Sequence, residues 1–276
     1  MRAWPSPRVL SKRPLRVALS FFKTMAKRAL RIAATADLHY AKHSRGMLHE
    51  SFAEISRSAD ILLLCGDLTD YGLPEEAEEL VADIRAAVRI PMIAVLGNHD
   101  FESGHEELVC KVLDEAGVNV LNGEAIEIAG VGFAGIAGFG GGFGRRMLNA
   151  WGEPLIKQFV QESISHAVRL EQALAKLQSE KRIAVLHYSP IRATLQGEDP
   201  EIYAFLGSSR LEEPINRFKV TAVFHGHAHN GILDGKTSTG IPVYNVSAPA
   251  LRKTGKPYRI VELQGVCVRR QMRHMR

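Results

Sequence analysis

The chain has 276 residues, of which 46% are hydrophobic and 24% are charged, a globular composition that excludes a disordered or collagen-like protein. The formal net charge is +5, but residues 1–28 contain eight of the 35 basic residues and no acidic one, so the remainder is mildly acidic. No apolar run reaches the roughly 20 residues that cross a bilayer, and we therefore expect no membrane-spanning segment.

Residues 1–28 are expected to form a basic N-terminal extension outside the folded domain. We favour the interpretation that Met25 is the true start; an organelle-targeting segment and a polyanion-binding arm are the alternatives. The folded part is predicted to be a single domain over residues 29–270, followed by a basic tail at residues 271–276, since no linker or internal repeat divides it.

The three cysteines, Cys65, Cys110 and Cys267, lie far apart and form no CxxC pair. This spacing does not support a disulfide framework or a cysteine zinc site, and it favours a reducing compartment. We therefore predict a cytoplasmic protein in which each cysteine is a small buried side chain.

The first half of the domain alternates strands and helices. Strands are predicted at residues 30–36, 60–64 and 92–96, and helices at residues 47–57, 74–88 and 105–116. Pro74 suits the first turn of the second helix, and Gly117 suits the C-cap of the third. Three successive strand–helix units indicate parallel strands joined by right-handed crossovers.

The second half is less regular. Closely spaced strands with glycine turns are predicted, and expected to pair antiparallel, at residues 119–121, 125–129 and 131–137. After these we predict a Gly-rich loop at 138–146, a long helix at 155–178, a strand at 182–186, a short helix at 211–218, and strands at 220–224, 241–246, 258–263 and 266–269. Together the elements predict an α/β fold.

Polar side chains follow five of the predicted strands. They form the groups Asp37-Leu38-His39, Gly66-Asp67, Gly97-Asn98-His99-Asp100, His187 and His225-Gly226-His227-Ala228-His229. Ligands of open α/β sheets bind at the carboxyl ends of the strands, so the five groups can converge on one rim. Carboxylate, amide and imidazole donors suit divalent first-row metals.

The spacing of these donors favours two cations. Residues two apart on an extended segment point to the same side, as Asp37 and His39 do, and the same holds for His227 and His229. Seven donors are too many for one ion but fit two if a carboxylate bridges them. Two metals about 3.5–4 Å apart can clamp a phosphate and generate hydroxide near neutral pH.

A single strand-end histidine or a lone Gly-Asp is more often structural than a ligand, and the prediction therefore depends on five such groups in order. His225 is expected to pack or hydrogen-bond locally. The remaining histidines are expected on the surface: His43, His49, His105, His166 and His274.

The ordered series DLH (37–39), GDLTD (66–70), GNHD (97–100), LHYSP (186–190) and GHAH (226–229) resembles the motifs of the calcineurin-like metallophosphoesterase superfamily. The resemblance implies a four-layer αββα sandwich of two mixed β-sheets flanked by helices. It implies a phosphoester hydrolase with two divalent metal ions, Mn²⁺ and/or Fe or alternatively Zn²⁺, and a small phosphoester substrate.

The same resemblance implies a role for each motif residue. It assigns Asp37, His39 and His229 to the first metal, Asn98, His187 and His227 to the second, and Asp67 as the bridge between both. A hydroxide between the metals would be the nucleophile. His99 would be the catalytic residue that protonates the leaving oxygen or stabilises the transition state. Asp70 would orient His99, with a turn-capping role as the alternative.

Two departures narrow the class of substrate. Protein Ser/Thr phosphatases of the superfamily have Arg and Glu where this chain has Tyr71 and Asp100, and loss of that Arg removes a bidentate phosphate contact. The motif form is closer to cyclic-nucleotide-phosphodiesterase-like and small bacterial phosphoesterases, which favours phosphodiester substrates.

The alternatives to a phosphodiesterase are a small-molecule phosphomonoesterase, a catalytically silent metal-binding interaction scaffold and a nuclease that uses the basic extension. Nucleic acid is not expected as a partner, and no oligomeric state is predicted.

The stretch FGGGFGRR at residues 139–146 has two interpretations. It can be a mobile loop over the site, with Arg145 or Arg146 contacting substrate, or a flexible connection to the long helix, which we favour. Trp151 and Tyr188 could each stack on a base of the substrate. For Trp151 we favour packing in the core or on the surface, whereas Tyr188 is expected near the pocket because it follows a predicted ligand.

Overall fold

The computed structural model describes residues 27–267. In this range the strands are β1 Lys27–Thr35, β2 Ile61–Cys65, β3 Met92–Val95, β4 Val118–Val120, β5 Glu124–Ile128, β6 Val131–Gly135, β7 Lys181–Val185, β8 Ala222–His225, β9 Asp234–Lys236, β10 Pro242–Asn245 and β11 Arg259–Cys267. The helices are α1 His49–Ser58, α2 Pro74–Ala87, α3 Glu106–Glu115, α4 Pro154–Lys176, α5 Tyr203–Leu206, α6 Ser209–Arg217 and α7 Ala248–Arg252. The predicted extension up to residue 26, the basic tail and His274 lie outside the described residues.

The first sheet has the strand order β11-β1-β2-β3-β4. Strands β1 to β4 are parallel, as the three strand–helix units predict, and β11 pairs antiparallel with β1. Strand β2 is apolar along its whole length and every residue in it is buried, as expected for a parallel strand covered on both faces.

The second sheet has the strand order β5-β6-β7-β8-β10-β9. Its four central strands are parallel, whereas β5 and β9 pair antiparallel at the two edges. Both sheets are therefore mixed. Among the helices that the structure describes, none combines the length and the apolar character needed to span a bilayer.

Two strand predictions were wrong. The strand expected at 119–121 to pair antiparallel is β4, which pairs parallel with β3, because α3 forms a crossover that returns the chain to the first sheet. The strands expected at 258–263 and 266–269 are one strand as far as Cys267. Arg28 pairs with Val266 and Leu30 pairs with Leu263, so that β11 has one residue more than β1 between these pairs. The extra residue forms a bulge at Gly265, whose φ is +75°.

Three apolar layers hold the four structural layers together. Between the sheets lie Ile32, Leu63, Val95, Phe133 and Phe224, all fully buried. The outer face of the first sheet packs against α1, α2 and α3 through buried residues that include Phe52, Leu80 and Leu113. The outer face of the second packs against α4 and α6 through Leu170, Leu174 and Ile215. The predicted αββα sandwich is thereby confirmed.

Candidate metal centre

The predicted ligands come together from both sheets. Asp37, Asp67 and Asn98 follow β1, β2 and β3 of the first sheet, whereas His187 and His227 follow β7 and β8 of the second. Donor atoms of Asp37, His39 and His229 lie within 4.8 Å of one another, and so do those of Asp67, His187 and His227. Two three-residue groups of predicted ligands could thus each hold a metal ion, and a third such group consists of His39, Asp70 and His99.

In the first group, Asp37 is the central acceptor. Its two carboxylate oxygens each accept the backbone N–H of His227 at 3.0 Å, and its Oδ1 lies 3.1 Å from Nε2 of His229. Nε2 of His39 is buried and has no hydrogen-bond partner among the described residues. An unpartnered buried imidazole nitrogen beside two carboxylates fits a metal ligand, because burial without a partner otherwise costs free energy.

In the second group, backbone carbonyls orient both imidazoles. Nδ1 of His187 donates to the Cys65 carbonyl at 3.0 Å, and Nε2 of His227 lies 3.3 Å from the Phe205 carbonyl. Nε2 of His187 therefore faces the site, 3.0 Å from Oδ1 of Asn98. Such bonds on the outer nitrogen of an imidazole are typical of metal-binding histidines, because they fix the ring and its tautomer.

Asp67 lies between the two groups. Its Oδ2 is 3.4 Å from Nε2 of His187 and 4.0 Å from Nε2 of His39, and its Oδ1 accepts the backbone N–H of His99 at 2.9 Å. The same carboxylate oxygen thus faces a histidine of each group. This placement would let Asp67 contact a cation held by either group.

We expected Asp37 and His39, and likewise His227 and His229, to lie on extended segments, but the backbone at three of these four residues is strained. Asp37, His39, Asp67 and His227 have φ values of 56°, 47°, 49° and 68°, in the left-handed region that residues other than glycine seldom adopt. Each such residue costs about 1–3 kcal/mol, and strain of this kind clusters at functional sites. Backbone hydrogen bonds maintain it, among them Leu38 N–H to the Asp67 carbonyl at 2.8 Å.

Glycines let the ligand loops approach closely. A Cβ atom on Gly97 would lie 2.2 Å from Oδ1 of Asp67, and one on Gly66 would lie 2.5 Å from Nδ1 of His187. A Cβ atom on Gly226 would lie 2.8 Å from Oδ2 of Asp37. These three positions therefore need glycine because any side chain would displace a ligand.

We expect Gly97→Ala to displace the Asp67 carboxylate and so lower bound metal and hydrolysis together. The matched control is Gly240→Ala, where a Cβ meets nothing within 4 Å but φ is +89°, so that only backbone strain is added. The control should lose stability while retaining its metal. Metal analysis and thermal melting of both variants measure the difference, and full metal content in Gly97→Ala would contradict the steric argument.

The two carboxylates set the electrostatics of the site. Burial opposes ionisation of Asp67, but the charge and hydrogen bond of His187 outweigh it and lower the pKa of Asp67 below its usual value. Burial also opposes protonation of His187, but Asp67 and Asp37 raise the pKa of His187 to about 9. Burial, reinforced by the charge on His187, lowers the pKa of His227 to about 3. His227 is therefore neutral near pH 7, whereas His187 must release a proton when it binds a metal ion.

His99 lies beside the first group. Its ring centroid is 4.5 Å from that of His39, and its Nδ1 donates to the backbone carbonyl of Asp70 at 2.7 Å. The Asp70 carboxylate lies 3.4 Å from Nδ1 of His39. The main-chain carbonyl of Asp70 thus accepts a hydrogen bond from His99, and the side-chain carboxylate of Asp70 contacts His39.

Asp100 is a positioning residue that the sequence reasoning noted only as a departure from the phosphatase pattern. It is fully buried, and its carboxylate accepts hydrogen bonds from the backbone N–H groups of Leu68, Thr69 and Gly97 and from the Thr69 hydroxyl. Burial, followed by the negative charge of Asp67, raises the pKa of Asp100 to about 6. The carboxylate ties the loop after β2 to the loop after β3. An acidic residue directly after Gly-Asn-His was the available signal.

Several side chains outside the ligand set differ from expectation. His166 is buried, 3.1 Å from Glu162, rather than on the surface, and Cys110 is only half-buried. Trp151 is 74% exposed and therefore does not lie in the core. His225 behaves as predicted, because its Nδ1 donates to the Gly226 carbonyl at 2.7 Å and its Nε2 lies 2.9 Å from the Thr194 hydroxyl.

The Gly-rich stretch packs against α5 on its way from β6 to the long helix α4. Gly141 N–H donates to the Ala204 carbonyl at 2.7 Å, and Gly142 N–H donates to the Gly207 carbonyl at 2.9 Å. A Cβ atom on Gly140 would lie 2.6 Å from the Ala204 carbonyl oxygen. The glycines therefore serve close packing, and Arg145 and Arg146 are exposed at the end of the stretch.

Comparisons with known proteins agree with this geometry. A family model described as calcineurin-like phosphoesterase matches residues 30–231. Phosphopantetheinyl hydrolase from Mycobacterium tuberculosis superposes with a TM-score of 0.62 at 15% identity, over 84% of this chain and 96% of that one. The protein TT1561 of Thermus thermophilus superposes with a TM-score of 0.54 at 16% identity, over 86% and 99%. At these identities the likeness shows the fold. No curated protein matches the sequence significantly.

Proposed function

Since the chain belongs to the calcineurin-like phosphoesterase family and is a phosphoester hydrolase, we propose that it hydrolyses phosphodiesters at a centre of two divalent cations. The observation that carries the proposal is the position of Asp67, whose Oδ2 faces His187 in one group and His39 in the other. One shared carboxylate between two donor groups suits a pair of metals rather than two separate sites.

We assign Asp37, His39 and His229 to the first cation, Asn98, His187 and His227 to the second, and Asp67 to both. The donor set fits because it contains only nitrogen and oxygen atoms, which Mn²⁺, Fe and Zn²⁺ accept. When bound, two such cations would polarise the phosphate and supply a water activated near neutral pH. The two carboxylates leave the centre with a net positive charge once both cations are present, which suits an anionic phosphoester.

His99 is proposed to protonate the leaving oxygen. A carbonyl oxygen can only accept a hydrogen bond, so the Asp70 carbonyl holds a hydrogen on Nδ1 of His99. The proton that His99 transfers is then the one on Nε2, which no hydrogen bond occupies among the described residues. Asp70 is in this view a positioning residue that acts through its backbone.

The phosphodiester assignment is supported by Tyr71, which stands after Asp70 where an arginine would bind a phosphate dianion bidentately. A phosphodiester carries one negative charge fewer than a phosphomonoester dianion, and it therefore needs one contact fewer from a basic side chain. The free thiols of Cys65 and Cys110 suit a cytoplasmic location.

We expect the protein loaded with Mn²⁺, Fe or Zn²⁺ to hydrolyse bis-(p-nitrophenyl) phosphate with a higher kcat/KM than p-nitrophenyl phosphate. The two substrates release the same nitrophenol, so that the ratio measures the preference for diester over monoester. A ratio below one with every metal would identify a phosphomonoesterase instead. The absence of hydrolysis of both substrates by protein with bound metal would contradict the proposed activity.

A further inference from the structure

Four aromatic side chains form a continuous surface beside the second ligand group. This aromatic wall consists of Phe139, Phe159, Tyr188 and Phe205. The ring centroids of Phe139 and Phe159 are 4.9 Å apart, those of Phe139 and Tyr188 are 5.9 Å apart, and those of Phe159 and Phe205 are 6.1 Å apart. These separations are typical of packed aromatic pairs.

The aromatic wall touches the metal centre at two points. The Tyr188 ring lies 4.5 Å from the ring of His227, and the backbone carbonyl of Phe205 lies 3.3 Å from Nε2 of the same histidine. The Phe205 side chain is nevertheless 60% exposed, and Phe139, Phe159 and Tyr188 are only partly buried. A cluster of partly exposed rings next to a catalytic centre is a surface that an apolar group of the substrate can cover.

The close packing of the Gly-rich stretch fixes the wall in place. A Cβ atom on Gly140 would lie 3.1 Å from Cζ of Phe159 and 3.3 Å from Cα of Phe205. The residues on both sides of Phe205 are also bonded to neighbouring segments. The Ala204 carbonyl accepts the Gly141 N–H at 2.7 Å, and the Leu206 carbonyl accepts the Ser189 N–H at 3.0 Å. The rings are therefore preorganised, which lowers the entropic cost of binding a ligand.

The wall and His99 contact different parts of the centre. The wall contacts His227 and His187 of the second group, whereas His99 contacts His39 of the first. If His99 protonates the leaving oxygen, the departing group lies on the His39 side. A substrate group lying on the wall is then the one that stays attached to phosphorus.

From this arrangement we propose that the aromatic wall binds the retained ester group of a phosphodiester, and that this group is an aromatic ring. The inference rests on the proposed function, which it narrows to diesters with an aromatic retained group. A monoester has no such group. In the reaction, the oxygen of water forms a bond to phosphorus, and the bond from phosphorus to the leaving oxygen breaks. The leaving oxygen takes the proton from Nε2 of His99, water returns one to the imidazole, and the product is an aryl phosphomonoester.

The test compares two diesters with the same leaving group, phenyl p-nitrophenyl phosphate and methyl p-nitrophenyl phosphate. We expect kcat/KM to be about tenfold higher for the phenyl ester, the size of effect that one aromatic stacking contact gives. Phe205→Ala should reduce this ratio several-fold. Its side chain is mostly exposed and its backbone carbonyl remains, so that metal content and melting temperature should not change.

Tyr71→Ala is the matched control. Tyr71 is an aromatic residue of similar exposure, 58%, and it follows Asp70 on the His99 side of the centre. Because the leaving group is the same in both diesters, the control should leave the phenyl-to-methyl ratio unchanged. A ratio near one in the wild-type protein, or a ratio that Phe205→Ala does not alter, would overturn the proposal.

Binding supplies a readout that does not require turnover. Phenylphosphonate should bind the metal-loaded protein about tenfold more tightly than methylphosphonate in calorimetric titrations, and Phe205→Ala should remove most of that difference. Equal affinities would refute the aromatic wall as a subsite even if no ester is hydrolysed. Hydrolysis of both diesters without a phenyl preference would refute the subsite while leaving the proposed function intact.

Discussion

Asp67→Asn should remove most of the bound metal and lower kcat/KM by more than the roughly 100-fold that loss of an outer-shell partner costs. The reason is that Oδ2 of Asp67 faces both ligand groups, so that a neutral amide there weakens two sites at once. An amide oxygen can still accept the His99 N–H, and the fold should therefore survive. Elemental analysis after gel filtration and activity on bis-(p-nitrophenyl) phosphate measure the two effects.

Asp83→Asn is the matched control, because Asp83 is an equally buried aspartate whose hydrogen bonds are to residues outside the ligand set. It accepts hydrogen bonds from the Tyr40 hydroxyl at 2.7 Å and the Gly46 N–H at 2.8 Å. Its replacement should cost about 1–3 kcal/mol of stability while metal content is retained. Two equivalents of metal bound to Asp67→Asn would contradict the bridging assignment.

For His99→Ala we expect retention of metal and a kcat lower by roughly 10²- to 10⁴-fold, the typical contribution of a general acid. The loss should depend on the leaving group. Nitrophenolate departs without a proton, whereas an alkoxide does not, so the variant should lose more activity on dialkyl esters than on nitrophenyl esters. An equal loss on both classes would show that His99 stabilises the transition state and does not protonate the leaving oxygen.

His105→Ala controls for the loss of a histidine in the same region. His105 is exposed, and its Nδ1 lies 3.0 Å from the Ser103 hydroxyl. Activity of this variant should match the wild type on both ester classes. A decrease similar to that of His99→Ala would indicate that the loop structure, rather than the imidazole of His99, determines the rate.

The parallel strands and the ligand motifs could be predicted from sequence because both are local patterns. A buried strand such as β2 is a continuous apolar run, and polar residues at its carboxyl end follow directly in the chain. The sheet that β4 joins could not be read in this way, since pairing depends on residues far away in the sequence. The bulge at Gly265 made one strand resemble two.

Features that depend on tertiary contacts were beyond sequence reasoning. The left-handed backbone at Asp37 and His227 contradicts the local preference of these residues, and only surrounding hydrogen bonds maintain it. The aromatic wall joins residues as far apart in the chain as Phe139 and Phe205. The contact of Asp70 with His99 through a backbone carbonyl leaves no signature in the residue type.

Because each sheet contributes donors to both ends of one small cluster, bound cations would fasten the two sheets to each other. Asp37 of the first sheet meets His229 of the second at 3.1 Å, and Asp67 meets His187 at 3.4 Å. A ligand that binds only the native chain adds its binding free energy to stability, about 2.7 kcal/mol at a concentration of 100 times Kd. The free metal concentration would then set the stability of the folded protein as well as its rate of hydrolysis.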